Sequence, residues 1–434
     1  MGEKLYLVRF VQRHAEFRLA EFEALCKLFD IKYKAHTEYT DLSPFWIVSF
    51  RSEDDIRKIL SRSFLIKCVL EHYACSEQSL DHLAELVKDI PQDVFEVYRN
   101  DTFKFVIDTF ATSMSGKEKI DTIEKFAYLP FDGDIDLKNP KNTFHVIIDN
   151  RHTIEKEPRA FYFGRWIGDG NREFIDIYNV KKRKYIGTTT MDAELSLIMS
   201  NMALVKKGSL VYDPFVGTVT SSCFGSYSFG SDIDGRQIRG KDGSMFNDSH
   251  LIEKSLKSNI AQYKLQNRIL GTVVCDITQH PFRPDGFRFD AIITDPPYGV
   301  RAGAKKIMMK EGGFFKNTED GKSFYPATIP YELPDVIYDL LNFSSVYLEI
   351  GGRLVYWLPV IDDEEENDLK EPPNHPCFDM ISKCPQIFGG WRRILVTMEK
   401  KCDPESIDFN IKKDHLVEPF RNRFFTKMKL NSEA

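Results

Sequence analysis

Cysteine is scarce in this sequence and never has the spacing that a metal site or a disulfide framework requires. Eight cysteines are scattered over 434 residues, and no two of them form a C-x-x-C pair. Because structural zinc sites use closely paired cysteines, the spacing argues against such a site, and we expect no metal. A disulfide scaffold is typical of much shorter secreted chains. The scattered thiols therefore indicate a reduced, cytoplasmic protein.

Long apolar runs and an excess of one charge are also missing. No run approaches the roughly 18 residues that a membrane span requires, so we expect no membrane association. The net charge of −6 gives no overall nucleic-acid signature, and any phosphate binding must come from a local basic patch. With 42% hydrophobic and 29% charged residues, the composition is typical of a globular protein with two or three domains.

Residues 1–180 combine the patterns of strands and helices. Alternating apolar residues predict strands, and apolar residues three and four apart predict helices. Residues 1–75 are expected to form a small α+β domain. Residues 76–180 are expected to form a second domain, whose last strand is predicted over Phe174–Val180.

A basic stretch with interleaved aromatic residues follows within this region. Between residues 151 and 184, Lys and Arg outnumber Asp and Glu, and aromatic residues such as Phe161 and Trp166 lie among them. Basic and aromatic side chains together suit the backbone and bases of RNA. A charged linker between domains is the alternative, and both interpretations stay open. The candidate RNA-binding residues are Arg159, Arg165, Arg172, Lys181, Lys182, Arg183 and Lys184.

The second half of the chain begins with a strand, an acidic residue and a turn that contains glycine. The predicted strand ends at Asp213, and Pro214, Phe215 and Gly217 follow before a helix. This order is typical of a nucleotide-binding crevice, but the G-x-G-x-x-G fingerprint for a pyrophosphate is absent. A carboxylate in the turn repels phosphate and attracts a cation. The turn therefore predicts a site for the aminoacid end of S-adenosylmethionine.

Three further predicted strands end in acidic residues. The next strand ends at Asp232 and Asp234, where an acid can hold a ribose diol, and we expect Asp232 to be the ligand. Asp276 closes the following strand and is placed to accept from an adenine amino group, and Asp295 closes the fourth. Ligands of doubly wound sheets lie at the carboxyl ends of the strands. Four acids in these positions indicate a binding site rather than four helix caps.

Asp295 opens the sequence Asp-Pro-Pro-Tyr-Gly. Pro296 and Pro297 fix φ and lack N–H groups, so nearby carbonyls remain free to accept hydrogen bonds. The Asp295 carboxylate and one carbonyl can then hold both hydrogens of an exocyclic amine, with its lone pair toward a methyl donor. Tyr298 offers a ring to an unstacked base, which predicts that Tyr298→Phe is tolerated. A tight turn with Tyr298 as a lid is the alternative.

The Asp213-Pro-Phe-Val-Gly-Thr and Asp295-Pro-Pro-Tyr-Gly motifs, in this order, resemble those of class I S-adenosylmethionine-dependent amino-methyltransferases. More closely, most of the chain resembles the catalytic subunits of eukaryotic tRNA (guanine-10-N2)-methyltransferases. The resemblance implies a Rossmann-like α/β catalytic domain behind two smaller domains. The implied parts are a small α+β domain at 1–75, a THUMP-like RNA-binding domain at 76–180, a linker at 181–190, the methyltransferase at 191–400 and a charged tail at 401–434.

This resemblance also implies the reaction and the partners. Asp295, Pro296, Pro297 and Tyr298 would be catalytic, the substrate would be guanosine in tRNA, and a small zinc-binding activator subunit would complete a heterodimer. Val219 replaces the second glycine of the usual Gly-Thr-Gly, which puts the cofactor affinity in question. Two alternatives follow: N6-adenine methylation of DNA or RNA, which uses the same motif, and a non-catalytic RNA-binding module.

Overall fold

The computed structural model describes residues 4–110, 113–150, 160–186, 190–216, 224–235, 238, 256–283, 286–299, 304–308, 328–361, 372–404 and 424–425. The chain divides into two compact units. The first comprises Met1–Arg18 and Phe29–Asn171, and the second comprises Leu19–Leu28 and Arg172–Ala434. Within the described ranges, no helix combines the length and the apolar character that a membrane crossing needs.

The first unit is built on a seven-stranded sheet in the order β2-β3-β1-β4-β7-β6-β5. Neighbouring strands are antiparallel except for the parallel pair β5 and β6. The strands are β1 (Leu5–Phe10), β2 (Tyr33–Ala35), β3 (Phe45–Phe50), β4 (Ile66–Ser76), β5 (Phe103–Phe110), β6 (Asn142–Asp149) and β7 (Ala160–Asp169). Because β4 pairs with both β1 and β7, the strands of residues 1–75 and 76–180 share one sheet. The domain boundary near residue 75 stays a prediction.

Helices cover this sheet and enclose an aromatic core. Within the described part of the unit they are α2 (Glu53–Leu60), α3 (Leu80–Lys88), α4 (Asp93–Glu96) and α5 (Gly116–Glu124). The side chains of Ser52, Ser79 and Ser115 cap three of them by accepting from backbone N–H groups in the first turn. In the core, the buried rings of Phe126 and Phe163 are parallel to within 8°, with centroids 4.9 Å apart.

Helix α1 (Arg18–Leu28) is the part of the first 75 residues that packs largely within the second unit. Its Glu21 is fully buried and accepts a 2.8 Å hydrogen bond from the Asn201 side chain. Lys27 donates to Glu399 at 2.6 and 2.7 Å. The predicted segment 1–75 therefore contributes one helix to the catalytic half.

The strand predicted over Phe174–Val180 is wrong. Glu173–Ile177 forms helix α6, and Val180–Lys182 forms a 3-10 turn. Phe174 and Tyr178 are one helical turn apart, and their ring centroids lie 6.0 Å from each other. So short a run fits alternation and helical spacing equally well, and the pattern alone does not decide between them.

The second unit contains a seven-stranded sheet in the order β10-β9-β8-β11-β14-β16-β15. The five strands from β10 to β14 in this order are parallel, whereas β16 is antiparallel to both of its neighbours. Its strands are β8 (Leu210–Asp213), β9 (Tyr227–Asp232), β10 (Ile269–Val274), β11 (Phe289–Thr294), β14 (Leu348–Ile361), β15 (Phe378–Phe388) and β16 (Trp391–Lys400). The described helices are α7 (Ala193–Met202), α8 (Leu256–Gln262) and α9 (Leu333–Tyr347), and β12 (Lys305–Ile307) pairs with β13 (Thr328–Pro330). The predicted Rossmann-like α/β fold is confirmed.

The order of this sheet reverses between β8 and β11. From β8 the chain proceeds outward to β9 and β10, and it then returns to the other side of β8 as β11. In open α/β sheets, ligands bind in the crevice beyond the carboxyl ends of the strands at such a reversal. Asp213 ends β8 and Asp295 directly follows β11, so both motifs lie at this crevice.

Candidate active site

Among the described residues of the second unit, two side chains contact the Asp295 carboxylate. Its Oδ1 accepts a 2.5 Å hydrogen bond from the Tyr298 hydroxyl, and Nη1 of Arg393 lies 3.9 Å from its Oδ2. Burial raises the pKa of Asp295, while the hydrogen bond from Tyr298 and the charge of Arg393 act to lower it. The Tyr298 hydroxyl thus holds the carboxylate, so tolerance of Tyr298→Phe no longer follows from the role of its ring alone.

The turn after Asp295 is stiff and closes on a glycine. Pro296 is buried and Pro297 is half-buried. Gly299 has a φ of 81°, in the left-handed region that favours glycine. Fixed φ angles at the two prolines and the positive φ of Gly299 restrict the conformation of this turn. The amine-binding role of the two prolines stays a prediction.

Asp213 connects the two motifs across neighbouring strands. Its Oδ1 accepts from the backbone N–H of Phe215 at 3.0 Å and from the hydroxyl of Thr294 at 2.7 Å. Burial raises the pKa of Asp213 to about 7, and the charges of Asp232 and Asp295 add to this effect. Because Thr294 directly precedes Asp295, one hydrogen bond couples the turn after β8 to the turn after β11.

Asp232 lies at the end of β9 and has a similar environment. Its Oδ1 accepts from the backbone N–H of Asp234 at 2.7 Å. Burial raises the pKa of Asp232 to about 7, and the charge of Asp234 contributes. The preference for Asp232 as the ribose ligand stays a prediction. Gly217 and Val219 lie outside the described residues.

Asp276 differs from the other acids because donors of the chain itself occupy both of its oxygens. It is 2% exposed. Its Oδ1 accepts from the N–H and the hydroxyl of Thr278, both at 2.8 Å, and its Oδ2 accepts from the N–H of Ile307 at 2.6 Å. Asp276 therefore holds β12 in this structure. A contact to adenine, which stays a prediction, would have to share or displace one of these donors.

The hairpin of β15 and β16 adds residues that the sequence patterns did not single out. Its turn is Gly389-Gly390, and the rings of Phe388 and Trp391 stack across it with centroids 4.5 Å apart and planes 14° apart. The ring of Trp391 lies 6.5 Å from that of Tyr298. A Gly-Gly pair between alternating apolar residues is a hairpin signal, and it could have indicated this element.

Arg165, one of the predicted RNA-binding residues, is a structural residue of the first unit. It is 9% exposed, and its guanidinium donates to Glu71 at 2.7 and 2.9 Å and also to Glu53. The guanidinium carbon lies 5.1 Å from the centroid of the Tyr98 ring. The guanidinium is buried and already donates hydrogen bonds to two carboxylates, so it is poorly placed to bind a phosphate. The predicted RNA-binding role of Arg165 is therefore revised.

The remaining basic candidates divide by exposure. Arg172 pairs with the buried carboxylate of Glu194 at 3.0 Å. Arg183 is buried and donates to the Tyr178 carbonyl at 3.3 Å, so its predicted contact to RNA is revised as well. Arg159 lies outside the described residues. Exposed side chains belong to Lys181, Lys182 and Lys184.

Hydrogen bonds explain why Arg183 alone turns inward. The Gln262 side chain bonds the carbonyl of Lys182 at 2.7 Å and the N–H of Lys184 at 3.0 Å. Asn259 bonds the N–H and the carbonyl of Tyr185 at 2.9 and 2.8 Å. This segment is therefore fixed on α8 in an extended course, and its successive side chains alternate between solvent and interior.

Sequence comparisons with known proteins identify the family of the chain. Residues 4–172 match the family model described as the Tmrp11 THUMP N-terminal domain. The tRNA (guanine(10)-N(2))-methyltransferase TRMT11 of Bos taurus is 38% identical over 97% of this chain and 95% of its own length. The tRNA (guanine(10)-N(2))-methyltransferase of Schizosaccharomyces pombe is 36% identical over 91% and 89%. The crystal structure of TrmN from Thermus thermophilus covers 91% of this chain and 99% of its own, with 15% identity and a TM-score of 0.43. The chain therefore belongs to the tRNA (guanine(10)-N(2))-methyltransferase family.

Proposed function

We propose that the protein transfers a methyl group from S-adenosylmethionine to the exocyclic N2 amine of guanosine 10 in tRNA. The observation that carries the proposal is the joint position of Asp213 and Asp295 at the reversal of the sheet order, coupled through Thr294. One acid lies where a cationic cofactor is expected, and the other lies where an amine can be held. Membership of the family supports tRNA as the substrate and guanosine N2 as the acceptor.

The donor set of the crevice fits S-adenosylmethionine. Burial raises the pKa values of Asp213 and Asp232 to about 7. Repulsion from neighbouring acids adds to this effect, from Asp232 and Asp295 at Asp213 and from Asp234 at Asp232. A bound cation would relieve this repulsion. Asp213, with Pro214, Phe215 and Gly217, would hold the aminoacid end, and Asp232 would hold the ribose. When bound, the cofactor supplies an electrophilic methyl group on a sulfonium centre.

The residues around Asp295 would perform the positioning that this reaction needs. Guanine N2 is a weak nucleophile because its lone pair is delocalised into the ring. The Asp295 carboxylate and a carbonyl of the proline turn would accept both N2 hydrogens and so orient the nitrogen for in-line attack. During transfer, Asp295 would stabilise the positive charge that develops on N2 and would accept the proton that N2 then loses.

A heterodimer with the small zinc-binding activator subunit and a cytoplasmic location belong to the same proposal. Strand β10 is the last strand at one edge of the sheet, and its Leu270 and Val274 are 60% and 42% exposed. A strand edge with exposed apolar side chains is a surface that a partner can cover. The described cysteines are all free thiols, which supports a reducing compartment. Co-expression and co-purification of the two chains tests the heterodimer.

Product mapping tests the proposed reaction. The full chain, co-expressed with the activator subunit, is incubated with unmodified tRNA and labelled cofactor, and the RNA is digested to nucleosides. We expect label in N2-methylguanosine and none when position 10 is changed to adenosine. Label in N6-methyladenosine would favour the adenine alternative. Cofactor and tRNA binding without any transfer would favour a non-catalytic module.

A further inference from the structure

The hairpin of β15 and β16 brings a charged and an aromatic side chain to the Asp-Pro-Pro-Tyr turn. Trp391 and Arg393 are two residues apart on β16 and therefore project from the same face of the sheet. Arg393 reaches Asp295, and Trp391 reaches Tyr298. The hairpin thus faces both residues that are expected to handle the target base.

Several contacts hold the Arg393 guanidinium in place, and one of them is the Phe388 ring, whose centroid lies 5.8 Å from the guanidinium carbon. Its Nε donates to Gln386 of β15 at 2.8 Å, and its central carbon lies 4.0 Å from the ring centroid of Trp357, a fully buried residue of β14. Its Nη1 is 3.9 Å from Oδ2 of Asp295, which is a charge contact and too long for a hydrogen bond. The guanidinium can therefore attract the carboxylate while Oδ2 still accepts a hydrogen from a base.

We propose that this hairpin is the second wall of the target-base pocket, with Arg393 as the residue that positions the Asp295 carboxylate and Trp391 as a stacking surface for the guanine. This inference rests on the proposed function and names the residues that complete its site. A base whose amine bonds Asp295 would lie beside the Tyr298 ring. The next aromatic surface is Trp391, which is stacked on Phe388 and meets the Phe424 ring in an edge contact at 5.6 Å. Stacking between base and ring requires no sequence contacts and suits an extruded nucleotide.

The role assigned to Arg393 requires the shape of arginine as well as its charge. A planar guanidinium can stack on Trp357, donate to Gln386 and face Asp295 at the same time. Lysine can supply only the charge. The substitutions Arg393→Gln and Arg393→Lys therefore separate the two contributions. Arg392→Gln is the matched control, because Arg392 is the adjacent residue of β16 and projects from the opposite face.

The first experiment measures single-turnover methyl transfer to tRNA against pH, with the full chain co-expressed with the activator subunit. Arg393→Gln should slow transfer about 100-fold, as misplacement of a reacting group does, while cofactor affinity and the unfolding temperature stay near those of Arg392→Gln. Among the described residues, the titratable groups that face Asp295 are Tyr298, Arg393 and Asp213, which is the last residue of the neighbouring strand β8. Loss of the positive charge should shift the acid limb of the profile to higher pH in Arg393→Gln, and Arg393→Lys should keep the limb in place.

The second experiment probes the stacking surface. Trp391→Ala should slow transfer about tenfold, which corresponds to the loss of one base-stacking contact, and Trp391→Phe should restore most of the rate. In tRNA with 2-aminopurine at position 10, emission is quenched when the base stacks on a ring, so Trp391→Ala should raise the emission of the complex. Trp46→Phe, at a tryptophan of the first unit that lies outside the basic stretch, is the control for loss of a tryptophan.

The outcomes separate this inference from the proposed function. If the wild-type protein forms no N2-methylguanosine, the proposed function itself fails. If the wild type forms it, and Arg393→Gln keeps both the rate and the acid limb of the wild type, Arg393 has no positioning role. An unchanged rate and unchanged 2-aminopurine emission in Trp391→Ala would overturn the stacking role.

Discussion

The pKa values of buried carboxylates are shifted in opposite directions in the two units. In the first unit, burial acts to raise the pKa of Glu71, but hydrogen bonds and charges from Lys4 and Arg165 outweigh it and lower the pKa. In the second unit, burial raises the pKa of Asp213 to about 7, and only Thr294 and the Phe215 backbone act against it. Glu71 is paired with the cationic side chains of Lys4 and Arg165, whereas Asp213 has only neutral donors among the described residues.

This difference distinguishes a structural acid from an acid that is poised for a ligand. A buried carboxylate with two cationic partners contributes to the fold and has no capacity left for a guest. A buried carboxylate that neutral donors hold is strained when ionised, and a bound cation relieves the strain. Both units contain acidic residues on strands, so the type of residue does not distinguish a structural acid from a ligand-binding acid. The number of cationic side chains beside the carboxylate distinguishes them.

The largest effect is expected when the acid that faces the base is removed. Asp295→Ala should lower the rate of methyl transfer by roughly 100- to 1000-fold, the range for loss of one electrostatic contact to a developing charge. Cofactor affinity, measured by calorimetry, should stay nearly unchanged because Asp295 holds the amine. Retained turnover would show that Asp295 is not the amine-binding group.

Removing a structural acid should lower the stability of the protein and leave cofactor affinity unchanged. Glu71→Gln should lower the free energy of unfolding by about 3 kcal/mol, because Arg165 then keeps a buried charge with one carboxylate partner fewer. Glu85→Gln, at an exposed glutamate of the same unit, is the control. Denaturant unfolding measures both variants. If cofactor affinity falls and stability does not, the distinction between the two acids is wrong.

The pH dependence of cofactor binding tests the poised acids. The cationic cofactor binds their ionised forms, so affinity should rise as pH increases from 6 to 8 through the pKa values of about 7 for Asp213 and Asp232. Asp213→Asn should weaken binding about tenfold, since a contact to a charged group is lost, and should flatten this rise. Calorimetry at each pH, in buffers of different ionisation enthalpy, should detect proton release on binding.

Asp213 and Asp232 should also make the stability of the protein fall as pH rises, which is opposite to the trend for cofactor affinity. Because the folded pKa values lie above the unfolded value of about 3.9, the native state binds protons that the unfolded chain releases. Their contribution to stability is complete below about pH 4 and is lost as pH rises through about 7. Asp213→Asn should therefore make stability less sensitive to pH in this window. A cofactor affinity that is equal at pH 6 and 8 would contradict the assignment of these two acids.

The positions of the candidate acids could be predicted from the sequence, because each depends on one strand and the turn after it. The structure places Asp213 and Asp232 at the ends of β8 and β9 and Asp295 directly after β11, as expected, whereas their roles stay predictions. The hairpin residues Trp391 and Arg393 were not predicted from the sequence, because their roles depend on the pairing of β16 with β14 and β15. This pairing brings them to a turn that lies about a hundred residues earlier in the chain.

The basic stretch shows why charge alone misleads. Arg165 and Lys184 both add positive charge to the region, but Arg165 meets Glu71 from another strand and Lys184 projects from an extended segment on α8. Charge density is a property of the sequence, whereas access depends on which elements pack against it. The short helix α6 was missed for a related reason, since a five-residue run supports two periodicities.

The smallest effect is expected for the three exposed lysines of this stretch. Each phosphate contact that is lost should lower the salt slope of tRNA binding by about 0.9 at most, or less for single-stranded RNA. Charge reversal at Lys181, Lys182 and Lys184 should therefore weaken binding and flatten its salt dependence, without change in cofactor affinity. Reversal at Lys206 and Lys207, which are exposed in the same unit, is the control. Filter binding of tRNA over a range of salt concentrations measures the slope. Equal slopes for both variants and the wild type would mean that the lysines lie on a solvated linker, and the phosphate contacts would then have to come from other residues.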